Sequence, residues 1–330
     1  MQKNDNQRKG ARNYQPYVYY DSPLVRGQRA AVPRSTGSSH APKPPKLKAP
    51  KKRHTGLLIF VVLLAVSGLI GYNRIEQHRR AVADAKTRAS VAAENTRQTN
   101  IASFADQVNA VISGNPGITF SVTATDIDTG KTQSFGSSQP FVAASTAKLL
   151  TAAAYYNEVE NGKLSLTQTI DGQSAQYLLQ QMIVVSDDTA WAELNDTLGH
   201  AELSAYARTL GITDYNATDN LLGSGDIANI LQKLYTGKLM NTAHQQQLLG
   251  WMKQANYRDF IIPAVPSGDT VYHKVGEVDD NVHDAAIITN GKHTLVLVIF
   301  TNGNGTYEWE NRAKLFQLIT KAAVQDYLGS

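Results

Sequence analysis

The chain has 330 residues, long enough for one or two domains with a sizeable core, and it contains no cysteine. That composition excludes disulfides, thiol catalysis, thiolate metal sites and a lipidated-cysteine anchor. The formal charge of +4 conceals a segregation: residues 1–54 carry 13 Lys/Arg against Asp5 and Asp21, whereas residues 98–330 carry 13 Lys/Arg against 23 Asp/Glu.

In chain order, residues 1–54 are rich in Arg, Lys, Pro, Gln, Ser and Gly and end in "APKPPKLKAPKKRH". Such a segment buries too little apolar surface to offset its chain entropy, so it is expected to be a disordered basic cytoplasmic tail. Because the positive charge belongs to this tail, it gives no support for nucleic-acid binding by the folded part. The run "GLLIFVVLLAVSGLIGY" follows, with no charge from Thr55 to Asn73. As a helix it would be about 26 Å long, enough to cross a bilayer core. A cleavable signal peptide is the competitor, but its positive region would be unusually long and "AVADA" lies too far downstream for its cleavage site. The expectation is a single-pass signal anchor over 55–73. Six Lys/Arg in residues 39–54 favour a cytoplasmic N-terminus and an extracellular C-terminal domain at the cell membrane, although Arg74, Arg79, Arg80, Lys86 and Arg88 follow the span.

Residues 74–98 are Ala/Arg/Glu-rich without Gly or Pro and read as a helical stalk. A globular pattern occupies 99–330. "FADQVNAVISG" predicts a short amphipathic helix closed by glycine. "ITFSVTATDIDTGKTQSFG" alternates about a "DTG" turn and predicts a hairpin. A mostly helical stretch runs from 142 to 255, followed by "TVYHKVG" and "DAAIITNGKHTLVLVIFT", in which "NGK" marks another hairpin. The closing helix is "NRAKLFQLITKAAVQDYL". Strands at both ends with helices between predict an α+β fold, an antiparallel sheet flanked by the terminal helices and carrying an all-helical subdomain.

Within the alanine-rich stretch "FVAASTAKLLTAAAYY", Ser145 lies three residues before Lys148, so on a helix the hydroxyl and the amine share a face. A serine is a poor nucleophile until a neighbour takes its proton. A lysine can do so only where burial or nearby cations disfavour its charge. Taken alone, the pair is a weak signal and reads as a helix N-cap followed by a solvated lysine. Two further motifs follow in order: Ser186-Asp187-Asp188 in "MIVVSDDTAW", between two helical runs, and Lys274-Val275-Gly276 on a strand in "VYHKVGEVDD".

Ser-x-x-Lys, then Ser-Asp-Asp, then Lys-Val-Gly resembles the penicillin-recognising serine enzymes, the superfamily of class A β-lactamases and DD-peptidases, over residues 100–330. The resemblance implies that Ser145 is the acylated nucleophile, Lys148 its base or proton relay, and Ser186 the donor to the leaving amine. It also implies that Lys274 holds down the pKa of Ser186 and attracts a substrate carboxylate. The backbone N–H groups of Ser145 and Glu277 would form the oxyanion hole, worth about 3 kcal/mol at the tetrahedral intermediate. Asp188, Val275, Gly276 and Glu277 would line the substrate. Three departures stand out. Asp188 occupies the usual place of Asn, and a carboxylate only accepts hydrogen bonds. Val275 replaces Thr or Ser and removes a hydroxyl that would bind a substrate carboxylate. The stretch "GITDYNATDNLLGSGDIANIL" contains no glutamate to activate a deacylating water; Asp214 and Asp219 are its nearest substitutes, and Glu193 reads as an exposed helix residue.

His273, His283 and Asp284 invite a Ser-His-Asp reading, but Ser145 already has a nearer basic partner. Scattered histidines without an HExxH pattern imply no metal, and no Gly-rich loop at a strand-to-helix junction supports a nucleotide or other cofactor. The resulting expectation is an extracytoplasmic acyl-enzyme hydrolase acting on an amide or ester of a peptidoglycan-like or β-lactam-like small substrate. Efficient β-lactam hydrolysis is not expected without the loop glutamate. The alternatives are a catalytically degenerate cell-wall-binding or scaffolding module, and an esterase or amidase whose substrate lacks a carboxylate. The residues assign no oligomeric state.

Overall fold

A computed structural model describes residues 55–329 apart from Asp214 and Tyr307; within the first helix, at 55–63, 65, 66 and 97–102, it describes the backbone alone. The expected basic tail, 1–54, lies outside the described residues. The chain divides into two compact units, 1–70 and 71–330.

In the first unit the described backbone is helical, and it belongs to α1, Thr55–Ser113. Within the second unit the expected stalk and amphipathic helix both lie in this helix. No Gly or Pro between residues 74 and 113 interrupts the backbone ladder, which ends where the Gly114 amide donates to the Ala110 carbonyl at 2.9 Å. Among the described residues no helix is long and apolar enough to cross a membrane. Most side chains of the uncharged run expected to do so are themselves outside that description.

In the second unit, five antiparallel strands form one sheet in the order β2-β1-β9-β8-β7. They are β1 Thr119–Asp126, β2 Thr132–Gly136, β7 Thr270–Val278, β8 Asn281–Thr289 and β9 Thr294–Asn302. The hairpin turns fall at "DTG" and "NGK", as the turn residues predict, and at Asp279-Asp280. β8 and β9 are buried on both faces, which explains why their sequences read as continuous apolar runs. Alternate residues feed two cores. Leu295, Leu297 and Ile299 pack with Phe104 and Val108 of α1 and with Leu315, Phe316 and Ile319 of α8, Trp309–Ala323. Val296, Val298 and Phe300 face the helical layer on the other side.

That layer is built around α2, Lys148–Glu160, whose nine residues from Lys148 to Tyr156 are all buried. It also holds α3 Ala175–Val184, α4 Asp188–Leu198, α5 His200–Thr209, α6 Ser224–Tyr235 and α7 Thr242–Lys253. The short strands β4 Thr169–Ile170 and β5 Gln173–Ser174 pair with each other; β3 Phe141–Val142 pairs with β6 Leu221–Leu222. The edge strand β7 runs beside the turn that leads into α2. The α+β expectation of an antiparallel sheet with a helical insert describes this unit.

Candidate active site

Between β3 and α2 the chain makes a single 3-10 turn, Ala144–Ala147, carrying Ser145. α2 starts only at Lys148, and its N-cap residue, Ala147, makes no side-chain capping bond. The helix-cap reading of Ser145 therefore fails. Ala144 has φ 49, a conformation costly for a residue with a Cβ, so the turn stores strain immediately before the serine. Tertiary bonds hold it: the Ala143 amide donates to the Asn220 carbonyl at 2.8 Å, and Asn220 Nδ2 donates to the Ala144 carbonyl at 3.1 Å. The Thr146 hydroxyl donates to the Ala143 carbonyl at 2.6 Å. Ser145 is half-buried, and its Oγ has no hydrogen-bond partner among the described residues.

The second motif lies in the link between α3 and α4 and divides its labour. Asp187 caps α4, accepting from the Ala190 amide at 3.0 Å, which leaves Asp188 to turn toward Lys148. Ser186 also adopts a positive φ, 62. Lys148 Nζ donates to Asp188 Oδ1 at 2.6 Å, to the Ser186 carbonyl at 2.7 Å and to Ser186 Oγ at 3.2 Å. Trp191 of α4 places its ring 5.3 Å from the same nitrogen and donates through Nε1 to Thr151 Oγ1 at 2.9 Å. From β7, Lys274 Nζ donates to Ser186 Oγ at 2.8 Å and to the Val275 carbonyl at 2.9 Å. Two lysines thus converge on one hydroxyl. A serine oxygen has two lone pairs and one hydrogen. With both lone pairs accepting from Lys148 and Lys274, the Ser186 proton is directed away from them.

Both lysines are buried, so their charge is disfavoured. Burial lowers the Lys148 pKa against the opposing pull of Asp188, which bonds it and attracts its charge. For Lys274, burial is again the largest cause, reinforced by repulsion from Lys148, and the pKa falls to about 7 despite Asp284 and Asp188. The Asp188 side chain is 84 % exposed, so its hold on Lys148 is exerted from the solvent side of the pair.

Ser145, Ser186, Asp188, Tyr257, Val275 and Glu277 line one cleft of about 120 Å³. Gly276 lets it close. A Cβ at this position would lie 2.8 Å from the Ala143 carbonyl oxygen, 2.9 Å from the Thr146 amide nitrogen and 3.1 Å from that of Ser145. All three are backbone atoms that no rotamer change can move, so only glycine allows β7 to approach the nucleophile turn this closely. Val275 lines the cleft while remaining buried in the sheet core, whereas Glu277 is exposed at the mouth.

The histidine alternative fails on geometry. His273 is fully buried, with Nδ1 3.2 Å from Asp284 Oδ1, and the Ile261 amide donates to Asp284 Oδ2 at 3.2 Å. His283, also fully buried, donates through Nε2 to the Val142 carbonyl at 2.9 Å while Nδ1 accepts from the Thr301 amide at 3.2 Å. Its pKa is depressed to about 4 by burial, so it stays neutral. Neither histidine lines the cleft. Among the described residues no group of three or more His, Cys, Asp or Glu is arranged to hold a metal ion.

No described residue of the glutamate-free loop lines the cleft either. Asp219 Oδ2 accepts from Asn216 Nδ2 at 2.6 Å within a local turn, and Asp214 lies outside the described residues. Glu193 is half-buried rather than exposed, and it too is not among the lining residues. Three contributors escaped the sequence reading: Asn220, Trp191 and Tyr257. Asn220 and Tyr257 adopt positive φ (52 and 61) without being glycine, and nothing local in the sequence marks that.

Comparison with known proteins bears on the fold that carries this cleft. The fold matches "Structure of PBP-A" with a TM-score of 0.62 at 21% identity, covering 68% of this chain and 95% of that one. It matches the beta-lactamase from Sphaerobacter thermophilus with a TM-score of 0.61 at 24% identity, covering 67% and 95%. A variant of the last common ancestor of Gram-negative bacteria class A beta-lactamase matches with a TM-score of 0.63 at 21% identity, covering 69% and 99%. Residues 103–327 match the model of the beta-lactamase enzyme family, well over half of the chain. The chain belongs to the beta-lactamase enzyme family and is a serine hydrolase of that kind.

Proposed function

We propose that the cleft forms an acyl-enzyme on Ser145, with Lys148, Ser186 and Lys274 moving the protons. The observation that carries this reading is the convergence of Lys148 and Lys274 on Ser186 Oγ, in a cleft that Ser145 also lines. Neutral Lys148 takes the Ser145 proton as Oγ bonds to the substrate carbonyl carbon. The tetrahedral intermediate collapses as the bond to the leaving amine or alcohol breaks. Ser186 gives its proton to that leaving group and is resupplied by protonated Lys148. Water then releases the acid and restores Ser145. With no glutamate in the loop and Asp219 engaged locally, this second half is slow.

The substrate class we propose is an amide or ester related to peptidoglycan. One structure of similar fold, a PBP-A mutant, is an acyl-enzyme complex with penicillin G, which makes a penicillin the first probe. We further propose that the uncharged run 55–73 anchors the chain in the cell membrane, with the basic tail cytoplasmic and the catalytic unit outside. This rests on charge pattern and length.

A fluorescent penicillin and a fluorophosphonate test the reading, with intact mass as the measurement. A mass increment on Ser145 that disappears in Ser145→Ala supports it. Absence of both adducts on folded protein refutes it and favours a binding module, for which the Lys148–Asp188 ion pair would be the supporting observation.

A further inference from the structure

Away from the cleft, β1 departs from the apolar pattern of its neighbour in the sheet. On one face, Phe120, Val122 and Ala124 join the core shared with α1 and α8. The other face carries Ser121, Thr123 and Thr125, all buried, directly opposite Phe300, Val298 and Val296 of β9. Hydroxyls thus stand where the adjacent strand feeds apolar side chains to the core, and buried polar groups require partners. Two of them meet a hydroxyl from α6. Ser224 Oγ, in a residue only 3 % exposed, lies 2.8 Å from Ser121 Oγ and 2.7 Å from Thr123 Oγ1. Thr123 Oγ1 lies in turn 3.2 Å from Ser134 Oγ of β2. Three contacts among four hydroxyls use three of their four hydrogens, so a donor and several lone pairs remain for another molecule. All four line a cavity of about 310 Å³, which Ser137 and Ser138 line as well.

A second cavity of about 320 Å³ adjoins the first, sharing Ser137 and Pro140 with it. Asn281 lines this one. Although only 7 % exposed, it uses its oxygen alone, accepting from Asn302 Nδ2 at 3.1 Å, and its own Nδ2 donates to no described residue. Gln139 and Asn302 add further amides beside the apolar Pro140, Val142 and Leu221. Among the described residues no Lys, Arg or His lines either cavity. The one ionised lining group, Asp226, accepts from the Gly223 amide at 2.8 Å at the start of α6. Hydroxyls and amides that both donate and accept, interleaved with small apolar faces and lacking a cation, complement the hydroxyls and C–H faces of a sugar. They do not complement a phosphate or a carboxylate, whose burial requires a paired charge.

We propose that these adjoining cavities bind a neutral oligosaccharide, with Thr123, Ser224 and Asn281 as its buried contacts. The site shares no lining residue with the Ser145 cleft, so it does not rest on acylation.

The test is binding to the full chain in a sugar-free detergent, followed by saturation-transfer NMR and titration calorimetry. The probes are chitotetraose and cellotetraose, both uncharged, and trigalacturonate as an anionic counterpart. At least one neutral tetrasaccharide should bind, and trigalacturonate should not. Thr123→Val keeps the shape and removes one hydroxyl, so affinity should fall about tenfold, the loss of roughly one hydrogen bond. Ser138→Trp, at an exposed loop position, should block the cavity mouth and decides the matter if Thr123→Val fails to fold. Binding should survive in Ser145→Ala. No binding of either neutral sugar at about 10 mM would overturn the site. So would equal affinity for trigalacturonate, neutral binding unchanged in folded Ser138→Trp, or binding lost in Ser145→Ala. None of these outcomes bears on whether Ser145 is acylated.

Discussion

Asp188→Asn is the substitution whose effect is most directly calculable. The wild-type carboxylate holds Lys148 Nζ at 2.6 Å and stabilises the ammonium form, whereas acylation needs the free amine. Two unit charges at that distance attract by about 1.6 kcal/mol in the dielectric of water. A drier environment would give more, but the carboxylate is 84 % exposed, so the solvent-screened figure applies. An energy of about 1.6 kcal/mol corresponds to roughly tenfold in the proton equilibrium. Burial already lowers the Lys148 pKa, with Asp188 opposing it, so removing the charge lowers it further. Asparagine keeps an acceptor for the ammonium and approximately the same volume, so the packing is preserved. The expected result is about tenfold faster labelling of Ser145 near neutral pH, with the acid limb of the pH–rate profile moved to lower pH. The assay is pseudo-first-order labelling by a fluorophosphonate, read by intact mass from about pH 6 to about pH 10. A limb that stays in place, with unchanged or slower labelling at neutral pH, would refute Lys148 as the base.

Gly276→Ala forces a Cβ to 2.8–3.1 Å from three backbone atoms, so β7 must retreat from the nucleophile turn; labelling of Ser145 should fall by about a hundredfold, and a folded variant with wild-type labelling would count against the close approach. Lys274→Met should have its largest thermal-stability advantage over wild type in mild acid, and the gap should narrow as pH rises. Below about pH 7 the folded wild-type protein carries a buried ammonium; between about 7 and the ordinary lysine value of 10.5 it is neutral while the unfolded chain still binds the proton, so wild-type stability rises with pH across that window. Thermal melts on both sides of pH 7 check this, and a gap that widens with pH refutes it. Ala144→Gly removes the cost of φ 49. Even after the greater unfolded-state entropy of glycine, it should stabilise by about 0.5–1 kcal/mol, raising Tm by roughly 1–4 °C in calorimetry.

Much of the architecture was legible along the chain because local rules carry it. β8 and β9 could be read from two apolar runs joined by Asn290-Gly291-Lys292, since that turn chemistry fixes which residues face each other. The four catalytic candidates were legible as three short motifs in order, each confined to a few residues. The boundaries of α1 were less so: a change in composition near residue 98 suggested a break, yet composition alone does not stop a helix when no Gly or Pro intervenes.

The sequence by itself determined which chemistries are available here. It supplies a serine one helical turn before a lysine, a second serine ahead of two aspartates, a lysine two residues before a glycine, and no thiol. Tertiary structure alone decided how they are coupled. Lys148 meets Asp188 across 40 residues and Lys274 meets Ser186 across 88, and a local pattern carries no information about such distances. Only the packing of β7 against the turn before α2 could show that Gly276 is a steric necessity, that both lysines share one hydroxyl, and that His273 and His283 are enclosed in the core. The physical reason is that proton affinity and contact depend on burial and on through-space neighbours, both properties of the folded chain.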